Sequence, residues 1–319
     1  MPVPKLERAT IRVPATSANL GPGFDCIGLA VDLWNETNVT VDEPSITLSG
    51  EGADSLPRDG TNLVASSAHR TFLELGVNPI PLAFECHNNI PLARGLGSSS
   101  AATITGITAA FAFAGFDIAE PETRRRIFVI AADIEGHPDN VSPAVYGGCQ
   151  IGVNVDAGSP DCSWIVSRVE ISDEMKAVVF VPDFTMATKE ARGILPDVVP
   201  RSDAIFNVGR AAMLVHALET RQWSLLRHAT DDRLHQPQRI EKLFPRFRPI
   251  ARGALDAGAH GVFLSGAGPT VMALATDRFM TICYEMSENA RKAQIVGKAL
   301  ILDISQHGMQ IETEFERSN

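Results

Sequence analysis

Apolar and polar residues alternate in the first part of the chain, as they do in half-buried β-strands. The alternation predicts strands over Thr10–Val13 and Thr37–Val41, with a third candidate over Ile46–Leu48. Leu63–Leu75 instead has helical spacing, and Leu82–Glu85 is typical of another strand. This part of the chain is therefore predicted to be rich in β-structure, with one helix inserted.

Helical spacing returns at residue 98 and continues toward Gly115. Pro121 suits the first turn of the next predicted helix, which ends at Gly136. A pair of glycines at 147–148 then breaks the chain before a predicted strand over Gln150–Val155.

The second half is predicted to place helices among strands, and it is mostly helical from Ser202 to about Ala257. The predicted strands are Trp164–Val169, Ala177–Val181, Gly261–Leu264, Val271–Ala275 and Gln310–Phe315, with a further helix before the last of them. This mixed order, with several adjacent strand pairs, favours α+β layers over a regular βαβ repeat.

The length of the chain predicts two domains, because 319 residues exceed the size at which one hydrophobic core usually stops growing. Asp156–Pro160 is the most turn-rich stretch near the middle. We place the boundary there, which predicts an N-terminal domain over 1–158 and a C-terminal domain over 159–319.

The composition is that of an ordinary globular protein, with 45% hydrophobic and 21% charged residues. The formal net charge of −10 argues against a nucleic-acid partner, which would require a basic surface. The only dense basic run, at residues 124–126, is interpreted as the solvated face of a helix.

Five cysteines are scattered without C-x-x-C spacing, which fits neither a disulfide framework nor a zinc cluster and indicates a reducing compartment. The first five residues hold no apolar signal core, and no run of 18 or more apolar residues is present to span a bilayer. The expectation is a soluble cytoplasmic protein without a membrane partner.

The segment Pro91–Ala102 ends an extended stretch with two glycines and then opens into a predicted helix. Gly95 and Gly97 permit backbone angles closed to other residues and a close approach of a ligand. The serines at 98–100 would stand at a helix N-terminus, where free N–H groups and the helix dipole favour an anion. No lysine follows, and Ser100 takes the last position of G-x-G-x-x-G, so neither nucleotide-binding pattern is met. The residues alone leave two interpretations open, a phosphate site and an ordinary turn with a serine N-cap.

Two further segments combine turn residues with polar side chains. In Pro14–Asp25, Asn19 and Asp25 offer acceptors to a cationic or hydroxyl-bearing ligand, and a purely structural turn is the alternative. In Glu135–Asn140, zinc is disfavoured because no second histidine or cysteine occurs at a zinc spacing. Magnesium is favoured there, since it binds through a single carboxylate with hydroxyl and phosphate oxygens.

Three segments together resemble the motifs of the GHMP small-molecule kinases, in order and at suitable spacing. They are Pro14–Asp25, Pro91–Ala102 and Ser265-Gly-Ala-Gly-Pro-Thr270. Within that superfamily the chain is similar to the homoserine kinases. That closer resemblance rests on Ala15-Thr-Ser-Ala-Asn-Leu-Gly-Pro-Gly-Phe-Asp25, His137-Pro-Asp-Asn140, Thr188-Lys-Glu-Ala-Arg192 and Leu234-His-Gln-Pro-Gln-Arg239. Two positions depart from the family pattern. Cys26 stands where threonine or serine is more usual, and Arg94 adds a charge to segment 91–101, which we call the phosphate loop.

The resemblance implies an α+β fold of two domains, an N-terminal one similar to ribosomal protein S5 domain 2 and a C-terminal ferredoxin-like α/β plait, with the active site between them. It also implies transfer of the γ-phosphate of ATP to the side-chain hydroxyl of L-homoserine, giving O-phospho-L-homoserine on the route to threonine. Mg²⁺ is the implied cofactor beside ATP, and a homodimer is the implied assembly.

The resemblance further implies a set of site residues. Segment 91–101 would wrap the phosphates, with magnesium on Ser98 or Ser99 and on Glu135. Asn140 would orient the attacking hydroxyl, so the expected catalytic residues are Asn140, Glu135 and Ser99. The expected nucleotide ligands are Pro91, Leu92, Ala93, Arg94, Gly95, Leu96, Gly97, Ser98, Ser99, Ser100 and Ala101, with Asn62 near the adenine and Thr188 lining the same site.

The implied substrate ligands form a second set. Asp25 would receive the ammonium with Asn19 beside it, and two planar guanidinium forks, Arg192 and Arg239, would hold the carboxylate. The full set is Asn19, Asp25, His137, Asn140, Arg192, Arg239, Gly266 and Gly268. Arg94 has two open interpretations, contact with a phosphate and exposure to solvent.

Two rival functions stay open. A superfamily kinase for mevalonate, a sugar or a diphosphocytidyl alcohol is disfavoured, because Asp25, Arg192 and Arg239 suit a zwitterion. A ligand sensor that has lost catalysis is disfavoured by Glu135 and the serines. No matching segment supplies a general base, and phosphoryl transfer proceeds largely by positioning and charge neutralisation, so none is predicted.

Overall fold

The computed structural model describes residues 6–155 and 164–315. In this part of the chain the strands are β1 (Leu6–Asn19), β2 (Gly23–Val41), β3 (Ser45–Gly50), β4 (Leu82–Asn88), β5 (Cys149–Asn154), β6 (Trp164–Val169), β7 (Lys176–Pro182), β8 (Gly261–Leu264), β9 (Val271–Ala275), β10 (Gly297–Asp303) and β11 (Gln310–Phe315). The helices are α1 (Leu63–Glu74), α2 (Ser98–Phe113), α3 (Pro121–Glu135), α4 (Val141–Tyr146), α5 (Thr188–Gly193), α6 (Arg201–Glu219), α7 (Leu226–Ala229), α8 (Gln236–Leu243), α9 (Phe247–Asp256) and α10 (Phe279–Lys292). The predicted α+β class is confirmed.

Two separate sheets organise these elements. The larger sheet has the order β11-β1-β2-β4-β3, and β5 joins it by pairing with β2 and β6. All of its pairs are antiparallel except β3 with β4. The smaller sheet is antiparallel with the order β10-β7-β9-β8. Mixed layers of this kind are what the irregular order of strands and helices predicted.

Strand pairing crosses the predicted domain boundary. β6 and β11 follow residue 158 in the sequence, and both hydrogen-bond into the larger sheet, β6 with β5 and β11 with β1. The turn-rich stretch on which we based the boundary, residues 156–160, lies outside the described residues. The exact division therefore stays a prediction.

Helix α2 is buried around almost its whole circumference, because it lies between the larger sheet and helices α1 and α3. Its residues 103–112 are all buried, rather than one stripe of them, as expected for a helix inside a core. A Cβ at Gly106 would lie 2.1 Å from the carbonyl oxygen of Val64, so glycine permits the close approach of α1. This packing fixes the direction in which the N-terminus of α2 points.

The end of α3 places the next functional segment. Pro121 occupies its first turn as predicted, and the helix ends at Gly136, whose φ of +80° is in the left-handed region. The chain thus turns sharply into residues 137–140. Within residues 6–155 and 164–315, the structure contains no helix with the length and apolarity that crossing a membrane requires.

Candidate active site

One cavity of about 530 Å³ collects most of the residues that the sequence singled out. It lies where the loop between β4 and α2, the end of α3, helix α5 and the turn between β8 and β9 meet. The lining residues are Ala18, Asn19, Asp25, Leu63, Pro91, Ala93, Arg94, Gly95, Leu96, Gly97, Ser98, Ser99, Ser100, Thr103, Ile134, Glu135, His137, Asp139, Asn140, Thr188, Lys189, Arg192, Arg239, Gly266 and Ala267. A larger groove of about 880 Å³ between α9 and α10 contains none of the motif residues.

The glycines of the phosphate loop are required by packing. Gly95 has a φ of +76°, and a Cβ there would lie 2.1 Å from the carbonyl oxygen of Ser265. Gly97 has a φ of +72°, and its Cβ would lie 2.0 Å from Oγ1 of Thr16. The loop is therefore pressed against both of the other motif segments, and it leads directly into the N-terminus of α2, where an anion is favoured.

Ser99 and Glu135 meet across the loop. The Oγ of Ser99 donates a hydrogen bond to Oε1 of Glu135 at 3.4 Å. Burial raises the pKa of Glu135, with His137 as the largest opposing influence. A carboxylate whose charge is disfavoured by burial beside a hydroxyl is a donor set suited to a hard divalent cation, and among the two serines proposed for magnesium Ser99 is the one in contact with Glu135.

The side chain of Arg94 is engaged by the protein. Its Nε donates to the carbonyl oxygen of Pro182 at 2.8 Å and its Nη2 to that of Asp183 at 2.6 Å. A third donor, Nη1, reaches Leu92 at 3.3 Å. Neither open interpretation describes this arrangement, because the guanidinium ties the phosphate loop to the end of β7.

Asp25 and Asn19 stand at the mouth of the hairpin between β1 and β2. The φ of Asp25 is +57° and that of Asn19 is +75°, so both residues adopt a conformation that non-glycine residues rarely take. Asn19 holds the loop, because its Oδ1 accepts the N–H of Asp25 at 3.0 Å while its Nδ2 donates to Gly266 at 3.1 Å. The Asp25 carboxylate accepts two hydrogen bonds from Arg192.

Arg239 is almost fully buried, with 2% of its surface exposed. Its Nε donates to the carbonyl oxygen of Ala191 at 3.2 Å, and its Nη1 to that of Gly266 at 3.0 Å. Burial lowers the pKa of Arg239 to about 10, and the charge of Arg192 adds to the effect. Within residues 6–155 and 164–315, Nη2 has no hydrogen-bond acceptor, so one arm of the guanidinium remains for a ligand of the cavity.

Residues 137–140 form a polar wall. Nδ1 of His137 lies 2.5 Å from Oδ1 of Asp139, and Oδ1 of Asn140 accepts from Oγ1 of Thr16 at 2.9 Å. The pKa of His137 is raised, because the hydrogen bond and the charge of Asp139 outweigh the opposing effect of burial. Donor atoms of Asp25, His137 and Asp139 all lie within 4.8 Å of one another, which makes this wall a compact polar corner of the cavity.

Four of the expected ligands are not among the lining residues. Asn62 is the N-cap of α1, since its Oδ1 accepts the N–H of Val64 at 3.0 Å and its Nδ2 donates to Pro57 at 2.8 Å. Ala101 is fully buried within α2. Leu92 packs over Gly52, and Gly268 closes the turn by donating to Ser265 at 2.8 Å. Each of these positions is used for local structure, and a contact with a ligand at these four stays a prediction.

Sequence reasoning missed several residues that line the cavity: Ala18, Leu63, Thr103, Ile134, Asp139, Lys189 and Ala267. Asp139 and Lys189 lie inside segments that carried the resemblance, so their position in those segments was the available signal. Lys189 is the one lysine among the lining residues that the structure describes, and the phosphate loop itself has none.

Comparisons with known proteins show the family of the chain. The family descriptions "GHMP kinases N terminal domain" and "GHMP kinases C terminal" match residues 62–148 and 214–292. A homoserine kinase of Desulfitobacterium hafniense is 39% identical over 303 residues, which cover 94% of this chain and 99% of that relative. The chain belongs to the homoserine kinases of the GHMP family.

Solved structures place the homoserine kinase fold among wider relatives. The crystal structure of homoserine kinase from Cytophaga hutchinsonii has a TM-score of 0.82 at 28% identity, over 96% of this chain and 98% of that one. Mevalonate kinase from L. major, in complex with R-mevalonate, has a TM-score of 0.68 at 13% identity, over 97% of this chain and 100% of that one. The second likeness concerns the fold alone.

Proposed function

We propose that this chain transfers the γ-phosphoryl group of ATP to the side-chain hydroxyl of L-homoserine, giving O-phospho-L-homoserine on the route to threonine. The observation that carries the proposal is the composition of one cavity. A helix N-terminus suited to phosphate faces the same space as a carboxylate, Asp25, and two guanidinium groups, Arg192 and Arg239. An amino acid needs both signs of charge, whereas mevalonate has no ammonium group and a neutral sugar has neither.

The nucleotide end of the cavity is proposed to be the loop from Pro91 to Ser100. The first-turn N–H groups of α2 would bind phosphate oxygens, and Thr188 and Lys189 line the same cavity. The Arg94 side chain is occupied by Pro182 and Asp183, and its carbonyl oxygen accepts from Thr270 at 3.3 Å, so its backbone N–H is the part proposed to meet the nucleotide.

The amino-acid end is proposed to be built by Asp25 for the ammonium and by Arg192 and Arg239 for the carboxylate. Asn19 acts by holding Asp25 in place. The Nδ2 of Asn140 has no acceptor among the residues that the structure describes, so it can donate to the homoserine hydroxyl and orient it. His137 and Gly266 also line the cavity and are proposed to complete the amino-acid end.

Magnesium is proposed to bind to Glu135 and Ser99. The fit rests on the 3.4 Å contact between the two oxygen donors and on the burial that raises the pKa of Glu135. Oxygen ligands of this kind suit Mg²⁺, and the bound ion would neutralise charge on the phosphates. The hydrogen bond between Ser99 and Glu135 would also hold both side chains in position for the ion.

The proposal includes no essential general base. The transition state of phosphoryl transfer is loose, so the chain's main contribution is to align the hydroxyl and to neutralise charge. His137 and Asp139 are hydrogen-bonded to each other at 2.5 Å, which gives His137 a structural partner within the wall.

A homodimer and a cytoplasmic location also stay proposals. Exposed Ile205 and Val208 on α6 offer an apolar face to a second copy, and sedimentation of the purified protein at several concentrations tests it. The four described cysteines are all unpaired, which suits a reducing compartment.

An ADP-release assay with magnesium-ATP tests the activity against L-homoserine, mevalonate, galactose and L-serine in parallel. We expect turnover with homoserine at a kcat/KM well above that for each of the others. Turnover with mevalonate or galactose in place of homoserine would assign the chain to a rival kinase class. ADP release with none of them, together with homoserine binding, would favour the sensor.

A further inference from the structure

His235, the residue immediately before α8, is a buried histidine in contact with both substrate-binding elements. Its side chain is fully buried. Its Nε2 lies 2.7 Å from the carbonyl oxygen of Gly21, in the hairpin loop that carries Asp25. Its Nδ1 lies 3.0 Å from Nη1 of Arg239. The ring therefore touches the elements assigned to the two charged ends of the substrate.

These two contacts determine which nitrogen carries the proton. A guanidinium is always a donor, so Nδ1 of His235 must accept the hydrogen bond from Arg239. A carbonyl is always an acceptor, so Nε2 carries the hydrogen and donates it to Gly21. The ring is thus the neutral Nε2–H tautomer, and burial together with the neighbouring arginine lowers the pKa of His235 in keeping with that state.

Arg239 is aimed by three protein acceptors. Nη1 is shared between His235 and the carbonyl oxygen of Gly266, both at 3.0 Å, while Nε is held by Ala191. Only Nη2 remains unpaired among the described residues. A planar guanidinium held on two of its nitrogens has its third nitrogen fixed in space, so the direction of the free arm depends on the groups that hold the others.

The histidine ring is itself rigidly held. Oδ2 of the buried Asp232 accepts the backbone N–H groups of His235 at 2.9 Å and Gln236 at 2.6 Å. Phe24 stacks on the ring, with centroids 5.1 Å apart and planes 24° apart. The guanidinium of Arg239 lies 5.5 Å from the centroid of the same Phe24 ring. Side chains fixed by packing and hydrogen bonds can hold a binding group in its working geometry.

We propose that His235 is a positioning residue that aims Arg239 at the substrate carboxylate and links it to the loop that carries Asp25. The role rests on the proposed function, since it presumes that Arg239 binds the carboxylate of homoserine. One neutral ring then sets the distance between the ammonium and carboxylate ligands. It acts through Arg239 and touches no reacting atom.

Two nearly matched substitutions separate the two contacts of the ring. His235→Asn places a side-chain oxygen where Nδ1 was, so it retains an acceptor for Arg239 but loses the donor to Gly21. His235→Gln places a side-chain nitrogen near the position of Nε2, so it retains the donor but loses the acceptor. His235→Phe keeps the ring that stacks on Phe24 and removes both contacts. His260→Asn is the control, because His260 is hydrogen-bonded to Thr276 at 2.8 Å, outside the cavity.

The measurement is the KM for homoserine, the KM for ATP and kcat of each variant, with thermal melting to confirm folding. We expect His235→Gln and His235→Phe to raise the homoserine KM by about 10- to 100-fold, the range for a lost hydrogen bond to a charged group. His235→Asn should raise it by less than about 5-fold, and all variants should keep the ATP KM within about 2-fold of wild type. His260→Asn should change none of these values.

A role confined to packing predicts a different pattern, in which the KM for both substrates changes alike or His235→Asn is as harmful as His235→Phe. Either result would overturn the proposal. A double mutant supplies an independent check, since His235→Phe should add little to the KM of an Arg239→Lys enzyme if it acts through Arg239, and additive effects would contradict it. Failure of wild type to phosphorylate homoserine would instead sink the proposed function.

Discussion

Arg192 donates two hydrogen bonds to the carboxylate of Asp25, from Nη1 at 2.9 Å and from Nη2 at 2.7 Å. Both residues belong to the proposed amino-acid end of the cavity. Without substrate, each of them balances the charge of the other, as the ammonium and carboxylate of the proposed substrate would do. In the proposed complex a zwitterion would replace this pair, with its ammonium on Asp25 and its carboxylate on Arg192. Binding would then exchange one set of charge-assisted hydrogen bonds for another, so that neither partly buried charge is left unpaired.

Asp25→Asn should weaken homoserine binding without a comparable effect on ATP. The variant loses the negative charge that attracts the ammonium and leaves Arg192 without its partner. We expect the homoserine KM to rise by about 10- to 100-fold, since hydrogen bonds to charged groups are worth about 1.5–3 kcal/mol. Asp203→Asn, which removes an ion pair with Arg233 outside the cavity, is the control and should leave both KM values unchanged. An unchanged homoserine KM in Asp25→Asn would remove Asp25 from the substrate site.

Ser99→Ala and Glu135→Gln should each lower kcat more than they lower the affinity for homoserine. Their oxygens are the proposed magnesium donors, and the bound ion neutralises charge that develops on the phosphates during transfer. Titration of magnesium at fixed ATP should show a raised half-saturating concentration for both variants. Glu122→Gln, at an exposed ion pair on the same helix α3, should behave as wild type.

The same glutamine variant has a predicted effect on stability. Because burial disfavours the ionised form of Glu135, Glu135→Gln should not lower the melting temperature. A large loss of both homoserine affinity and stability would mean that Glu135 holds the fold rather than the metal.

Gly97→Ala should damage the phosphate loop far more than an equivalent change at Gly76. Both glycines have a φ near +70°, at +72° and +69°, so the backbone strain on adding a Cβ is matched. At Gly97 the new Cβ would lie 2.0 Å from Thr16, whereas at Gly76 it meets nothing within 4 Å. We expect Gly76→Ala to cost about 1 kcal/mol in unfolding free energy. Gly97→Ala should cost more and raise the ATP KM, and equal losses in chemical denaturation would show that the packing of the loop on Thr16 is unimportant.

His137→Asn should retain substantial turnover, because no general base is proposed. The loss of a true general base lowers kcat by about 100- to 10,000-fold. We expect a fall in kcat of less than about 10-fold, with a rise in the homoserine KM as the wall that contains Asn140 loosens. Asp139→Asn should behave similarly, since it removes the negative charge from the same 2.5 Å contact. Loss of chemistry with intact homoserine binding in either variant would identify the base that the proposal denies.

Local sequence patterns predicted helices and strands well where the apolar residues followed a clear helical or alternating period. The helical spacing of Leu63–Leu75 and the alternation of Thr37–Val41 correspond to α1 and to the end of β2. Strand β10 was missed, because its four consecutive apolar residues at 299–302 have neither a helical nor an alternating period. Whether such a short apolar run forms a strand is decided by its pairing with a neighbouring strand, which for β10 is β7.

The site depended on contacts that no local pattern contains. Asn19 and Gly266 are hydrogen-bonded although 247 residues separate them, and this convergence was available only through the family resemblance. Asn62 caps α1, a common role of an asparagine directly before a predicted helix, and its place near the adenine stays a prediction. The position of Lys189 inside the cavity depends on how α5 sits against the phosphate loop, which spacing alone does not reveal.

The pairing of β11 with β1 has a consequence for folding while the chain is being synthesised on the ribosome. β1 is made early and β11 late, yet residues 8–12 of β1 form a ladder with residues 310–314 of β11. Until that late strand emerges, one edge of β1 has unpaired N–H and C=O groups, which is the kind of edge that recruits other chains. Nascent chains that stall before β11 should therefore be the species that chaperones retain, even when the residues of the candidate active site have already been synthesised.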